Sequence, residues 1–145
     1  MEISREEMLL ESWVRLSSIL KNNRITKDLA YNESIVMLIL YRRFQSDPTS
    51  HVSIQDIIHI TNMKKSLVNR TINSLEKMNL LVRIQNIKDK RTQYVQCVKE
   101  NLDTFLKVHQ ESLKVVKDVI DIIGEEDTDR FISIVSKIIN SGYKV

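Results

Sequence analysis

Two glycines and one proline are too few to punctuate 145 residues in the usual way. Helices are expected to dominate, and left-handed backbone positions must be filled by other residues, asparagine first. The single cysteine, Cys97, excludes an internal disulfide and agrees with a reducing compartment. No run approaches the roughly 18–20 apolar residues of a membrane span, because the densest patch, Ile35 to Tyr41, stops at Arg42. The first twelve residues, MEISREEMLLES, are acidic where a signal peptide would be basic. A cytoplasmic location with no membrane partner is expected. Nucleophile elbow, P-loop and metalloprotease motifs are absent, and Asp/Glu pairs fall only in helix caps and on exposed faces. His51, His59 and His109 have no metal-ligand spacing. Neither enzymatic activity nor a metal or cofactor is expected.

What is present is an uneven charge distribution. From Asn62 to Arg91, eight basic residues face only Glu76 and Asp89, a net +6; the whole chain carries +3, which leaves −3 for the remainder. A basic segment in an otherwise acidic chain is the footprint of a polyanion partner.

Ser4 with Glu7 forms a capping box, and Met8, Leu9, Trp13, Leu16, Ile19 and Leu20 recur at helical spacing to about Asn23. A polar connection, residues 24–31, leads to Asn32 as N-cap of a second helix whose Ile35 to Tyr41 are apolar on every side; such a helix belongs in the middle of a fold. It ends before Ser46-Asp47-Pro48. Ser53 with Asp56 starts a short third helix with Ile54, Ile57, Ile58 and Ile60 as its buried face, broken at Thr61-Asn62. A fourth runs from about Lys64 to Met78, with Val68, Thr71, Ile72 and Leu75 on one side and Lys65, Ser66, Asn69, Arg70 and Asn73 on the other. Two short helices around a tight turn form a helix-turn-helix pattern. Two β-rich runs, residues 80–84 and 93–98, follow as a hairpin around a charged loop, which makes the pattern a winged helix. A long helix, residues 99–123, is stopped by Gly124, and a last one covers about residues 127–141. Asn62 and Asn79 are expected in the left-handed conformation.

The segment Asp89-Lys90-Arg91-Thr92-Gln93-Tyr94-Val95-Gln96-Cys97 resembles the wing pattern of the MarR family of bacterial transcription regulators and their SarA-like cousins. Ser66-Leu67-Val68-Asn69-Arg70 looks like the family's recognition-helix motif, and residues 75–83, LEKMNLLVR, resemble the stretch that leads into its wing. The chain departs from the family at positions 62, 79 and 101, where asparagines replace the usual glycines, at Cys97, which replaces a core leucine, and at Lys64, where a small capping residue is common. The resemblance implies a mostly helical winged helix-turn-helix protein with a small β-hairpin wing. It implies operator binding by a homodimer, modulated by small ligands or oxidants, and a wing arginine, Arg91 here, in the minor groove.

The expected organisation is one domain over residues 1–145, with dimerisation helices in 1–31 and 99–145 and the winged helix in 32–98. Ser66, Asn69, Arg70 and Asn73 face the major groove, where Arg pairs with guanine and Asn with adenine. Lys64 and Lys65 take phosphates. Lys88, Asp89, Lys90 and Arg91 form the wing contact; side chains two apart on a strand share a side, so Asp89 can orient Arg91. The stripe Trp13, Leu16 and Leu20 serves a dimer interface in preference to a ligand pocket. Cys97, in phase with Gln93 and Val95, reads as a core residue in preference to a redox sensor. The function expected is a sequence-specific, double-stranded-DNA-binding regulator, a repressor on a palindromic operator, modulated by an unidentified small-molecule effector. The alternative is a winged-helix module whose basic face binds an acidic protein partner without an operator.

Overall fold

Ser4 opens the first helix, α1 (Arg5–Asn22), through the expected reciprocal pair: the Glu7 N–H donates to Ser4 Oγ at 3.1 Å and the Ser4 N–H to the Glu7 carboxylate at 2.8 Å. The computed structural model describes residues 2–22, 29–85 and 91–143. Met8, Leu9, Trp13, Leu16 and Ile19 lie exposed along α1, Trp13 at 53%. The rest of the described chain leaves that stripe uncovered.

The second helix, α2 (Tyr31–Ser46), begins one residue before Asn32, and Ala30 takes the N-cap position instead. Alanine has no side-chain acceptor, so the capping is one-sided: Glu33 reaches back to accept the Ala30 N–H at 3.0 Å. The other Glu33 oxygen accepts a hydrogen bond of 2.7 Å from the Ser74 hydroxyl, far along the chain. Val36, Met37 and Leu40 are buried, and Leu38, Ile39 and Tyr41 pack partly buried around them, so α2 is the central helix that its all-round apolar sequence requires. Ile35 alone of the run is exposed, at 45%.

Next come β1 (Val52–Ser53), α3 (Ile54–Thr61), α4 (Lys65–Lys77), β2 (Leu81–Gln85) and β3 (Gln93–Cys97). Ser53 caps α3 by accepting the Asp56 N–H at 3.0 Å. Ile54 and Ile57 are buried and Ile58 partly so, but Ile60 is 55% exposed, contrary to its expected place in the core. At 100° per residue it stands about 240° round from Ile54, on the outer side of a helix too short to bury two faces. The buried residues of α4 are Val68, Thr71, Ile72 and Leu75, as its periodicity predicts. Thr71 satisfies its hydroxyl by donating to the Leu67 carbonyl at 2.8 Å.

Asn62 (φ 57°) and Asn79 (φ 59°) occupy the left-handed region at the ends of α3 and just past α4. Asn101, with φ −109°, does not; its side-chain amide donates to the Asn79 carbonyl at 2.7 Å. The strands form one antiparallel sheet in the order β1-β3-β2, with Arg83 opposite Val95 in the hairpin and Val52 opposite the same Val95 on the far edge. β1 escapes the sequence reading because two residues are too few to show alternation.

A 3-10 turn (Lys99–Asn101) leads into α5 (Leu102–Ile123), whose Leu102, Phe105 and Val108 enter the core while Leu113, Val116, Val119, Ile122 and Ile123 stay exposed. Gly124 (φ 89°) ends α5 and also caps α6 (Glu125–Asn140), which therefore starts two residues before the expected Asp127. The three acidic residues of its first turn, Glu125, Glu126 and Asp127, suit the positive end of the helix dipole. Phe131, Ile134 and Ile138 are exposed.

Cys97 is 7% exposed, and burial pushes its thiol pKa from the ordinary 9.0 up to about 11. The thiolate that would react with oxidants is therefore scarce at neutral pH. Because the unfolded chain ionises this thiol first, stability should fall as pH rises from about 9 to about 11. Cys97→Ala, compared by denaturant unfolding across that window, is expected to show a shallower fall than the wild type. Glu33→Ala, which removes both the α2 cap and the Ser74 contact, is expected to cost about 1–3 kcal/mol in urea unfolding, and Ser74→Ala less.

Candidate nucleic-acid interface

The apolar face of α4 is spent on the core, and that fixes what the helix shows to solvent. Ser66, Arg70 and Asn73 are exposed and Asn69 is half-buried, all on the side away from Val68 and Ile72. Lys64 and Lys65 stand exposed at the start of the helix. There the unsatisfied N–H groups and the positive end of the dipole add to the two ammonium charges, so this end attracts anions.

Lys88, Asp89 and Lys90 lie outside the described residues, and with them the expected contact between Asp89 and Arg91. Arg91 is described and exposed. It lines an open cleft of about 480 Å³ together with Thr92, Gln93, Lys65 and Asn69, and Gln55 of α3 closes the side. The start of α4 and the return of the hairpin thus share one polar, basic hollow. Ser66, Arg70 and Asn73 lie outside that lining.

Arg83, which closes the LEKMNLLVR stretch with no role assigned to it there, holds this arrangement together. Arg83 on β2 donates from Nη1 to the Gln93 carboxamide oxygen at 3.0 Å and from Nη2 to the Asn73 carboxamide oxygen, and its Nε lies 3.6 Å from the Glu76 carboxylate. One guanidinium so ties α4 to both strands of the hairpin. Nothing in spacing announces it: Arg83 is ten residues from each amide, and only the fold sets all of them around one point. Asn73, expected as a base reader with both ends of its amide, has its oxygen engaged inside the protein.

A second, mostly apolar cavity of about 350 Å³ lies between α2 and α5, lined by Tyr31, Ser34, Ile35, Leu38, Phe105 and His109 among others. The buried Ser34 hydroxyl finds no hydrogen-bond partner among the described residues. His109 stacks on Phe105 with ring centroids 5.7 Å apart, and His51 meets Tyr94 edge-on at 4.7 Å. Among the described residues no three His, Cys, Asp or Glu side chains are grouped to hold a metal ion, and no helix is long and apolar enough to cross a membrane.

No family model and no curated protein matches the chain. Solved structures do. The PcaV transcriptional regulator of Streptomyces coelicolor, in complex with its natural ligand, superposes with a TM-score of 0.77 at 10% identity, over 99% of this chain and 100% of that one. AbsC, a MarR family transcriptional regulator from the same organism, gives 0.75 at 19% identity over 97% of both chains. MepR of S. aureus, in a DNA complex, gives 0.73 at 13% identity over 98% of this chain and all of its own. Sequences so far apart share architecture from end to end, so the likeness lies in the backbone: the chain has the winged-helix fold of the MarR-family transcriptional regulators.

Proposed function

We propose that the protein is a DNA-binding transcriptional regulator that acts as a homodimer. The observation that carries this reading is the shared cleft: Lys65 and Asn69 of α4 and Arg91 of the hairpin line one basic hollow, with Arg83 holding the two elements together. An α-helix with its side chains is about 10–12 Å across and the major groove about 12 Å wide, so α4 fits it with Ser66, Asn69, Arg70 and Asn73 toward the bases. Lys64 and Lys65 then meet phosphates, and Arg91 enters the adjoining minor groove with Asp89 orienting it, while Lys88 and Lys90 add to the wing contact. No bond is made or broken in this role.

The exposed apolar residues of α1, α5 and α6 support the dimer, since one protomer leaves them open to water and a second copy covers like with like. Two copies of α4 would enter successive major grooves about 34 Å apart, and a two-fold axis makes the operator a palindrome. Repression follows where such a site overlaps a promoter. The cavity between α2 and α5 supports modulation by a small, mostly apolar effector with one polar group for the Ser34 hydroxyl.

Selection of bound duplexes from a random pool tests the central reading: recovery of a palindrome is expected, and no enrichment would move the basic face to an acidic protein partner. With about six phosphates neutralised per dimer, log affinity against log salt should fall with a slope near −5, and a shallow slope would count against the model. Arg70→Ala should lose about 1–3 kcal/mol of discrimination at one base pair, whereas Lys65→Ala should weaken binding alike on all sequences and reduce the slope by about 1 per protomer. Arg91→Ala should weaken binding strongly; Asp89→Ala should also weaken it despite removing a negative charge, and tighter binding by that variant would sink the orienting role.

A further inference from the structure

A guanidinium carries five N–H donors and no acceptor. An amide packed against it must turn its carbonyl oxygen inward, which leaves the NH2 group for whatever lies outside. Asn73 and Gln93 both stand in this relation to Arg83. The sheet register enforces it: Arg83 lies opposite Val95, so Gln93, two residues before Val95, is the diagonal neighbour on the same face. Glu76, one helical turn after Asn73, anchors the guanidinium at Nε. Flipping the Asn73 amide would set donor against donor.

We propose that Arg83 is a positioning residue that makes Asn73 a donor-only reader and so selects guanine over adenine at the base pair Asn73 meets. This rests on the DNA-binding reading above. An unconstrained asparagine pairs with adenine by accepting from N6 and donating to N7. Guanine shows two acceptors to the major groove, O6 and N7, and needs only donors. The cation takes one lone pair of the Asn73 oxygen and keeps that oxygen turned toward Arg83, so Asn73 meets the groove with its NH2 group, and the same cation polarises the amide so that its N–H groups donate more strongly. Gln93, turned the same way at the loop end of the hairpin, offers its NH2 group to phosphate oxygens.

The test is selection from a random duplex pool with the full chain. Asn73→Ala locates the step, as the base pair whose preference collapses; if no position responds, Asn73 reads nothing and the proposal falls. Guanine is expected there for the wild type. Arg83→Met should raise adenine relative to guanine at that step by at least about fivefold, the factor equivalent to ~1 kcal/mol. Arg83→Lys, which keeps the charge but not the fork, should fall between. An unchanged preference in both variants, or adenine at that step with the wild type, overturns the proposal while the enriched palindrome still upholds DNA binding. Absence of any wild-type enrichment overturns both. Because Arg83 bridges two elements, its variants can lose stability; wild-type titrations on duplexes with guanine, adenine or 7-deazaguanine at the same step do not depend on them. Loss of at least about fivefold on both replacements supports the donor-only reader, and equal affinities overturn it.

Discussion

A helix with apolar side chains on every side must be enclosed, and the rest of this protein is arranged around that requirement. Val36, Met37 and Leu40 of α2 are buried, and α3, α4, α5 and β3 all touch the helix. Each neighbour gives its own apolar stripe to that contact, which decides what it has left to show. For α4 what remains is a polar and basic face; for α5 only about the first two turns are needed, and the remainder runs on with most of its apolar positions open. Glu33 sits where this scaffold meets the exposed helix, one oxygen closing the start of α2 and the other holding Ser74 of α4. A single carboxylate thus ties the start of α2 to the middle of α4.

Much of this was legible in the sequence because period is a strong signal. The four buried residues of α4 follow from 3.6-residue spacing, the capping at Ser4 and Ser53 from a hydroxyl three residues before a carboxylate, and the left-handed Asn62 and Asn79 from the want of glycine at two corners. The misses have a common cause. Ala30 as a cap, Ile60 on the outside and the two-residue β1 depend on what the chain meets elsewhere. Local preference favoured Asn32, a wider apolar face and no strand. Within the candidate site, residue types marked the face of α4, while the grip of Arg83 on Asn73, Glu76 and Gln93 is a property of folded space and left no pattern to read.

Two parts of the molecule differ in how they meet water. The three-strand sheet and the helices around α2 enclose a dry core in which even the one thiol is pushed away from ionisation. The helices at the two ends of the chain, by contrast, carry rows of exposed isoleucine, valine and leucine, with Ile122 at 82% exposure. Surface apolar residues scattered singly need no explanation, but contiguous rows on three helices do. The chain encloses its core and leaves apolar rows of its end helices open to water.

Asn62 and Asn79 stand just outside the two ends of α4, each held in a conformation that glycine enters more freely. Glycine corners would let the helix rock, since they give the backbone a wide choice of neighbouring angles. Asparagine corners narrow that choice and lower the entropy of the unfolded chain as well. The helix is therefore mounted in stiff joints, and any force on it displaces α4 as a rigid lever, together with the hairpin that Arg83 fastens to it.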